Sequence, residues 1–182
     1  MRAPGNKQED FAPAGKETVV HVIDYLSKAQ RHVTRSTFAA ELLSAGDAID
    51  HGLLLSQMLL EVPRGPMTAA EARAQRYSGQ SEIPLVLYID AMSVFAAVSA
   101  TFIKTPADNG VLVHCLYLRE LLDNDVLHAL IWLDTRDMTS DGFTKGAVDR
   151  KALHDLMDGQ INFQHACKAF RPKHLIKQTP GK

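Results

Sequence analysis

Leu85-Val-Leu-Tyr-Ile-Asp90 is an uninterrupted apolar run that ends in an acid. A strand covered on both faces has this pattern, whereas a strand with one wet face alternates apolar and polar residues. The run therefore predicts a buried strand with a carboxylate at its C-terminal end. In open α/β sheets, ligand sites collect outside such carboxyl ends. Asp90 is consequently the first candidate site residue.

Two further runs rich in β-branched or aliphatic residues, 18–25 and 126–133, predict additional strands. Apolar residues recur at spacings of three and four in residues 36–61 and 109–123, which predicts two amphipathic helices. Shorter helices are predicted at residues 69–76, 93–100 and 149–157. This alternation of strands and helices predicts an α/β or α+β layered domain with a short mixed sheet flanked by helices.

The composition is that of an ordinary globular protein. The 182 residues include 46% hydrophobic and 23% charged side chains. These values exclude collagen-like, coiled-coil and fully disordered chains, and the length predicts one domain. Residues 1–17 and 171–182 are polar and lack periodicity, so we expect them to be flexible tails around a domain at 18–170.

Charge and cysteine content limit the partners and the compartment. The net charge is −1, so no overall positive field attracts nucleic acid, and such a partner needs a local patch or metal ions. Cys115 and Cys167 are too few for a disulfide framework, which favours a reducing cytoplasmic or nuclear compartment over secretion. No stretch has the length or apolar character of a signal peptide or membrane span.

Three acids occupy comparable places in the predicted elements. Glu41 lies on the flank of the apolar stripe of helix 36–61, Asp90 ends a strand, and Asp141 follows the strand at 126–133. Carboxylates gathered from separate elements can hold two divalent cations, and such oxygen ligands suit Mg²⁺, with Mn²⁺ as the alternative. Each acid also has an ordinary explanation, as a helix first-turn acid, a turn residue or a helix cap.

Four segments follow one another in an order that suggests a family. They are Tyr25-Leu-Ser-Lys28 running into Arg31-His-Val-Thr-Arg-Ser-Thr-Phe-Ala-Ala-Glu41, then Leu87-Tyr-Ile-Asp90, His114-Cys-Leu-Tyr-Leu-Arg-Glu120, and Trp132-Leu-Asp-Thr-Arg-Asp-Met-Thr-Ser-Asp-Gly-Phe-Thr-Lys145. Together they resemble the ribonuclease H domain at the C-terminal end of the Pol polyprotein of copia-type retrotransposons. The resemblance covers about residues 18–160.

The resemblance implies a site and an activity. Glu41, Asp90 and Asp141 correspond to the second, third and fourth acids of the family's four-carboxylate, two-metal site. The implied activity is endonucleolytic cleavage of the RNA strand of an RNA–DNA hybrid, with Mg²⁺ or Mn²⁺ as cofactor. Lys28, Arg31, Arg35 and Lys145 could contact the phosphate backbone, or could be solvated surface charges.

The chain departs from the family at its start. The family's first acid lies on the first strand of an opening meander, and nothing before residue 18 has a strand pattern. We therefore expect a domain without its first two strands, with weak or no activity unless Asp24 or a partner chain supplies the fourth acid. The strand at 85–90 then exposes an edge, unless the strand at 18–25 moves beside it. An exposed strand edge invites pairing with another chain, so the alternative is a non-catalytic fragment that pairs with itself or with a reverse-transcriptase segment.

Overall fold

The computed structural model describes residues 17–27, 33–79, 82–106, 109–144, 146 and 150–176. The helices are α1 (Thr37–Arg64), α2 (Ala69–Arg76), α3 (Met92–Ser99), α4 (Asn109–Asp123), α5 (Asp141–Thr144), α6 (Lys151–Met157) and α7 (Lys173–Ile176). The strands are β1 (Glu17–Val19), β2 (Val86–Ile89), β3 (Ala129–Leu133), β4 (Gln160–Asn162) and β5 (Cys167–Phe170). The fold is mixed α/β, and this coarse prediction is confirmed.

Helix α1 begins where the sequence predicts. Ser36 caps it, because the serine hydroxyl oxygen accepts a hydrogen bond from the Ala39 N–H at 3.1 Å. The helix runs past Pro63 to Arg64, a little beyond the predicted end at residue 61. Gly65 stops it with φ 88° while its N–H donates to the Glu61 carbonyl at 2.8 Å. The last turn thus keeps a backbone bond although proline has no N–H to give.

The main sheet has the order β2-β3-β5, with β3 in the centre. Strands β2 and β3 are parallel, and Ile89 pairs with Trp132. Strand β5 is antiparallel to β3, so the sheet is mixed. Strand β2 forms one edge of this sheet in the part of the chain that the structure describes, which agrees with the expected open edge.

Apolar side chains cover both faces of the sheet. Leu87 and Ile89 pack against a helical core cluster. Its largest fully buried members come from α1, α4 and the turn before β3, and include Leu42, Ile49, Leu118, Leu122 and Leu127. Val86 and Tyr88 point to the other face and pack in a smaller cluster with Phe163. The unbroken apolar run of β2 thus corresponds to a strand covered on both sides.

The predicted strand at residues 18–25 is wrong in extent, and of the two expected arrangements the one that moves it beside β2 is not observed. Strand β1 ends at Val19 and pairs antiparallel with β4, not with β2. Ile23 and Tyr25 lie beyond it without regular structure and are mostly exposed. A β-branched run forms a strand only where a neighbouring strand is available, and β4 offers only three residues to pair with.

Residues 171–176 belong to the expected flexible tail at 171–182 but are ordered, and residues 177–182 lie outside the described residues. Arg171 is only 9% exposed, and α7 follows it. Strands β4 and β5 were also not predicted, because both are short and neither has a clear apolar alternation. The expected tail at 1–17 lies outside the described residues except for Glu17, which belongs to β1. No helix in the described ranges is long and apolar enough to cross a membrane.

Candidate functional site

The carboxyl ends of β2 and β3 lie side by side because the two strands are parallel. Asp90 directly follows β2 and is half-buried. Its main-chain carbonyl accepts a hydrogen bond from the Trp132 indole N–H at 2.9 Å, which ties the end of β2 to β3. After β3 the chain enters a short 3₁₀ turn, Thr135–Asp137, at the same end of the sheet. This end of the sheet, at the carboxyl ends of β2 and β3, is therefore the candidate site that the sequence predicts.

Helix α1 brings Glu41 to the same end of the sheet. Gly52 packs against Leu85 at the start of β2, where an added methyl carbon would lie 2.7 Å from Leu85 Cδ1. One turn later, the Ser56 hydroxyl donates to the Ile83 carbonyl at 3.2 Å, so α1 runs antiparallel to β2.

The distance along α1 from Glu41 to Gly52 is similar to the distance along β2 from Leu85 to Asp90. Glu41 precedes Gly52 by about 16 Å along the helix axis, and Asp90 follows Leu85 by about 16 Å along the strand. By these distances Glu41 lies toward the same end of β2 as Asp90, and its side chain is exposed.

Asp141 follows β3, as the sequence predicts, and begins α5. Its N–H donates to the Met138 carbonyl at 3.1 Å, which closes the turn between the 3₁₀ segment and the helix. The side chain is half-buried and lines a cavity of about 470 Å³. All three predicted acids thus belong to elements that end or begin at one end of the sheet.

Sharing an end of the sheet does not make the three acids a metal centre. Across the described ranges, no group of three or more His, Cys, Asp or Glu side chains is placed to hold a metal ion. The carboxylates have the right chemistry for Mg²⁺, but their arrangement does not form a ligand set. The Mg²⁺ or Mn²⁺ site remains a prediction, and we derive no step of hydrolysis through it.

The other predicted contacts fall partly outside the described residues. The predicted phosphate contacts Lys28, Arg31 and Lys145 lie outside the described residues. Arg35 is exposed immediately before the cap of α1, at the same end of the helix as Glu41. A cation at this place is available to a phosphate, and its role stays a prediction.

Asp24 lies at the other end of β2. Its carboxylate binds His51 Nε2 at 2.8 Å, and the pKa of Asp24 is lowered, chiefly by this hydrogen bond and by the Tyr25 N–H. His51 precedes Gly52, which packs against Leu85 at the start of the strand. Asp90 follows the strand's far end, about 16 Å away along its axis. The suggestion that Asp24 supplies the fourth acid next to Asp90 therefore has no geometric support.

The cavity beside Asp141 contains groups that the motif analysis missed. Segment 135–142, helix α6, strand β4 and residues Gln164 and His165 line it. Asp137 is buried, 6% exposed, and holds His165 through two hydrogen bonds of 2.8 Å. The sequence offers no reason to choose Asp137 among the three acids Asp134, Asp137 and Asp141 that follow β3, or to connect it with His165.

Asp134 is engaged within its own turn. Its carboxylate accepts hydrogen bonds from Arg136 Nε at 2.8 Å and Nη2 at 2.9 Å, and also from the Arg136 main-chain N–H. The guanidinium and this N–H hold the pKa of Asp134 well below its usual range. Asp134 therefore stays ionised and paired with Arg136, and caps the turn that carries Asp137.

No family model matches this sequence, and no curated protein or solved structure matches it. The likeness of the four segments to copia-type ribonuclease H domains therefore rests on their residues and order alone.

Proposed function

We propose that this chain is a ribonuclease H-like domain derived from the Pol polyprotein of a copia-type retrotransposon, with weak or no hydrolytic activity of its own. The observation that carries the proposal is the placement of Glu41, Asp90 and Asp141 on elements that meet at one end of the sheet. These are the acids that the four motifs single out. The ancestral partner is an RNA–DNA hybrid, and the ancestral cofactor is Mg²⁺ or Mn²⁺.

The low activity follows from the missing acid. A two-metal displacement needs both ions about 4 Å apart and held by shared carboxylates. The four matching segments supply Glu41, Asp90 and Asp141, and none of them supplies the family's first acid. Neither Cys115 nor Cys167 forms a disulfide, which fits a reducing cytoplasmic or nuclear compartment.

Cleavage of a labelled RNA–DNA hybrid tests this proposal. Wild type, Glu41→Gln and Asp90→Asn are compared in Mg²⁺ and in Mn²⁺, with Asp158→Asn as a control at an exposed acid after α6. We expect the wild type to cleave little or no faster than the Glu41 and Asp90 variants. Rapid metal-dependent cleavage that Asp90→Asn abolishes and Asp158→Asn preserves would contradict the loss of activity and would require a fourth acid from elsewhere in this chain or from a partner chain.

A second candidate function has its own observation. Strand β2 is covered on both faces, yet among the described strands it lies at the edge of the sheet, so one row of its backbone groups faces away from β3. Unpaired groups on a strand edge are a template for another strand. The alternative is therefore a non-catalytic fragment that pairs through β2 with a second copy or with a reverse-transcriptase segment.

Amide hydrogen exchange at low and high protein concentration separates the two functions. If β2 pairs with a second copy, the amides of Val86–Ile89 gain protection as concentration rises, while those of the central strand β3 do not change. Light scattering after gel filtration gives the mass of the species. A monomer whose β2 amides exchange at the same rate at all concentrations would rule out self-pairing. Pairing with a reverse-transcriptase segment is then tested by adding that segment and measuring the same amides.

A further inference from the structure

Asp137 and His165 form a pair that neither proposal uses. Asp137 lies in the turn after β3, and His165 lies just before β5. Asp137 Oδ2 accepts the His165 main-chain N–H, and Oδ1 contacts His165 Nδ1, both at 2.8 Å. The Asp137 side chain is 5% exposed and that of His165 is 31% exposed. A buried carboxylate thus fixes a partly exposed imidazole at two points.

The pair determines which ring nitrogen is available. A carboxylate only accepts hydrogen bonds, so Nδ1 carries the proton that lies between the two side chains. The neutral ring then has its lone pair on Nε2, and no residue that the structure describes hydrogen-bonds that nitrogen. A carboxylate behind an imidazole also stabilises the imidazolium that forms when Nε2 takes a proton. Nε2 is therefore the ring nitrogen that can accept a proton from a ligand.

His165 lines the cavity of about 470 Å³ described above, which is the size of a small-molecule site. One part of the wall is apolar and consists of Met138, Leu153 and Ile161. The polar lining is of mixed charge and includes Arg136, Asp141, Lys151, Asp155, Asn162 and Gln164. Arg136 pairs with Asp134, and Lys151 Nζ pairs with Asp155 at 2.6 Å. The cavity thus combines apolar side chains with the His165 imidazole, without a large excess of either charge.

We infer that this cavity is a binding site for small aromatic molecules that carry an acidic hydroxyl, and that His165 accepts the hydroxyl proton. The ring of such a ligand packs against the apolar wall. Its O–H bond breaks, the electron pair stays on the oxygen as a phenolate, and the proton bonds to Nε2. The resulting imidazolium is paired with Asp137 behind it and with the phenolate in front. This site is independent of the nuclease proposal because it requires neither a metal ion nor a nucleic acid.

The test uses 4-nitrophenol, whose phenolate absorbs visible light and whose acidity is close to that of an imidazolium. The full chain is titrated at one fixed pH, and the phenolate band is recorded. We expect a saturable increase for the wild type and none for His165→Gln. Asp137→Asn keeps an oxygen acceptor but loses the charge, and we expect about tenfold weaker affinity. His154→Gln, at an exposed position on α6, is the matched control and leaves the affinity unchanged.

A second measurement keeps the inference falsifiable if a variant loses its fold. In the wild-type protein, nuclear magnetic resonance follows the ring signals of His154 and His165 as 4-nitrophenol is added. We expect the His165 signals to move with the same saturation as the phenolate band, while those of His154 stay in place. No saturable band, equal shifts of both rings, or an unchanged band in folded His165→Gln would each overturn the inference.

Discussion

The surroundings of Tyr117 raise the pKa of its hydroxyl group. Its hydroxyl donates to Asp50 Oδ1 at 2.8 Å, which joins α4 to α1. Burial, the hydrogen bond to Asp50 and the charge of that carboxylate raise the pKa of Tyr117 to about 12. All three favour the neutral phenol, because the phenolate would lose solvent and face a negative charge.

The first prediction concerns this tyrosine. Because the pKa of Tyr117 is raised from its ordinary value of 10.0, the stabilisation by the neutral phenol is complete below pH 10 and is lost as the pH rises towards 12. Asp50→Asn should lower the pKa of Tyr117, but not fully, since burial is the largest cause and remains. Ultraviolet titration of the phenolate, compared between wild type and Asp50→Asn, measures the shift. An unchanged titration curve would mean that the hydrogen bond to Asp50 does not form in solution.

Some of the site residues can be identified from the sequence, and others only from the structure. The sequence identified Glu41, Asp90 and Asp141 because each lies in a motif at a predictable place in a strand or helix. It could not identify Asp137 and His165, which are 28 positions apart and meet only through the return of the chain along β5. A pattern in neighbouring residues has no means of encoding such a contact.

Helix α1 contains two glycines that face different surroundings. An added methyl carbon at Gly46 would meet nothing within 4 Å, whereas at Gly52 it would lie 2.7 Å from Leu85 Cδ1. Both replacements gain helix propensity, but only the second forces a neighbour to move. Gly52 is where α1 passes close to the start of β2, the contact that sets the level of Glu41 relative to Asp90.

The second prediction compares Gly46→Ala with Gly52→Ala. Gly46→Ala should raise the free energy of unfolding by about 0.5–1 kcal/mol through helix propensity and reduced backbone freedom. Gly52→Ala should gain clearly less, or lose stability, because the Leu85 side chain must shift. Urea denaturation of the two variants and wild type gives both values. Equal gains would show that α1 and β2 are not packed closely at this point.

Asp125 connects distant parts of the whole molecule. It lies between α4 and β3 with φ 55°, and its Oδ2 accepts from Arg171 Nη2 at 2.9 Å. Its Oδ1 contacts His128 Nδ1, also at 2.9 Å. The side chains of Asp125 and Arg171 are each only 10% exposed. This buried pair fixes the chain after β5 to the turn before β3, at the N-terminal end of the central strand.

The third prediction removes the charge of Asp125. Asn tolerates a positive φ, so Asp125→Asn changes the charge with little change in backbone strain. Arg171 is then left buried without a counter-ion, and the free energy of unfolding should fall by about 3 kcal/mol. Asp123→Asn is the control, because the Asp123 side chain is 43% exposed and its pair with Arg119 should contribute less than about 1 kcal/mol. Similar losses in both variants would contradict the structural role of the buried pair.

The sequence by itself determined the local elements with strong periodicity. Helices α2 and α4 have the predicted bounds, Ala69–Arg76 and Asn109–Asp123, because the spacing of apolar residues and their caps are local properties. The unbroken run of β2 likewise encoded a strand covered on both faces.

Only the tertiary structure decided which strands pair and which side chains meet. It assigned β1 to β4, placed β5 beside β3, buried Arg171 against Asp125 and brought His165 to Asp137. Pairing and buried charge depend on which backbone groups and counter-ions remain available once the core has formed, and that choice is made among residues far apart in the chain.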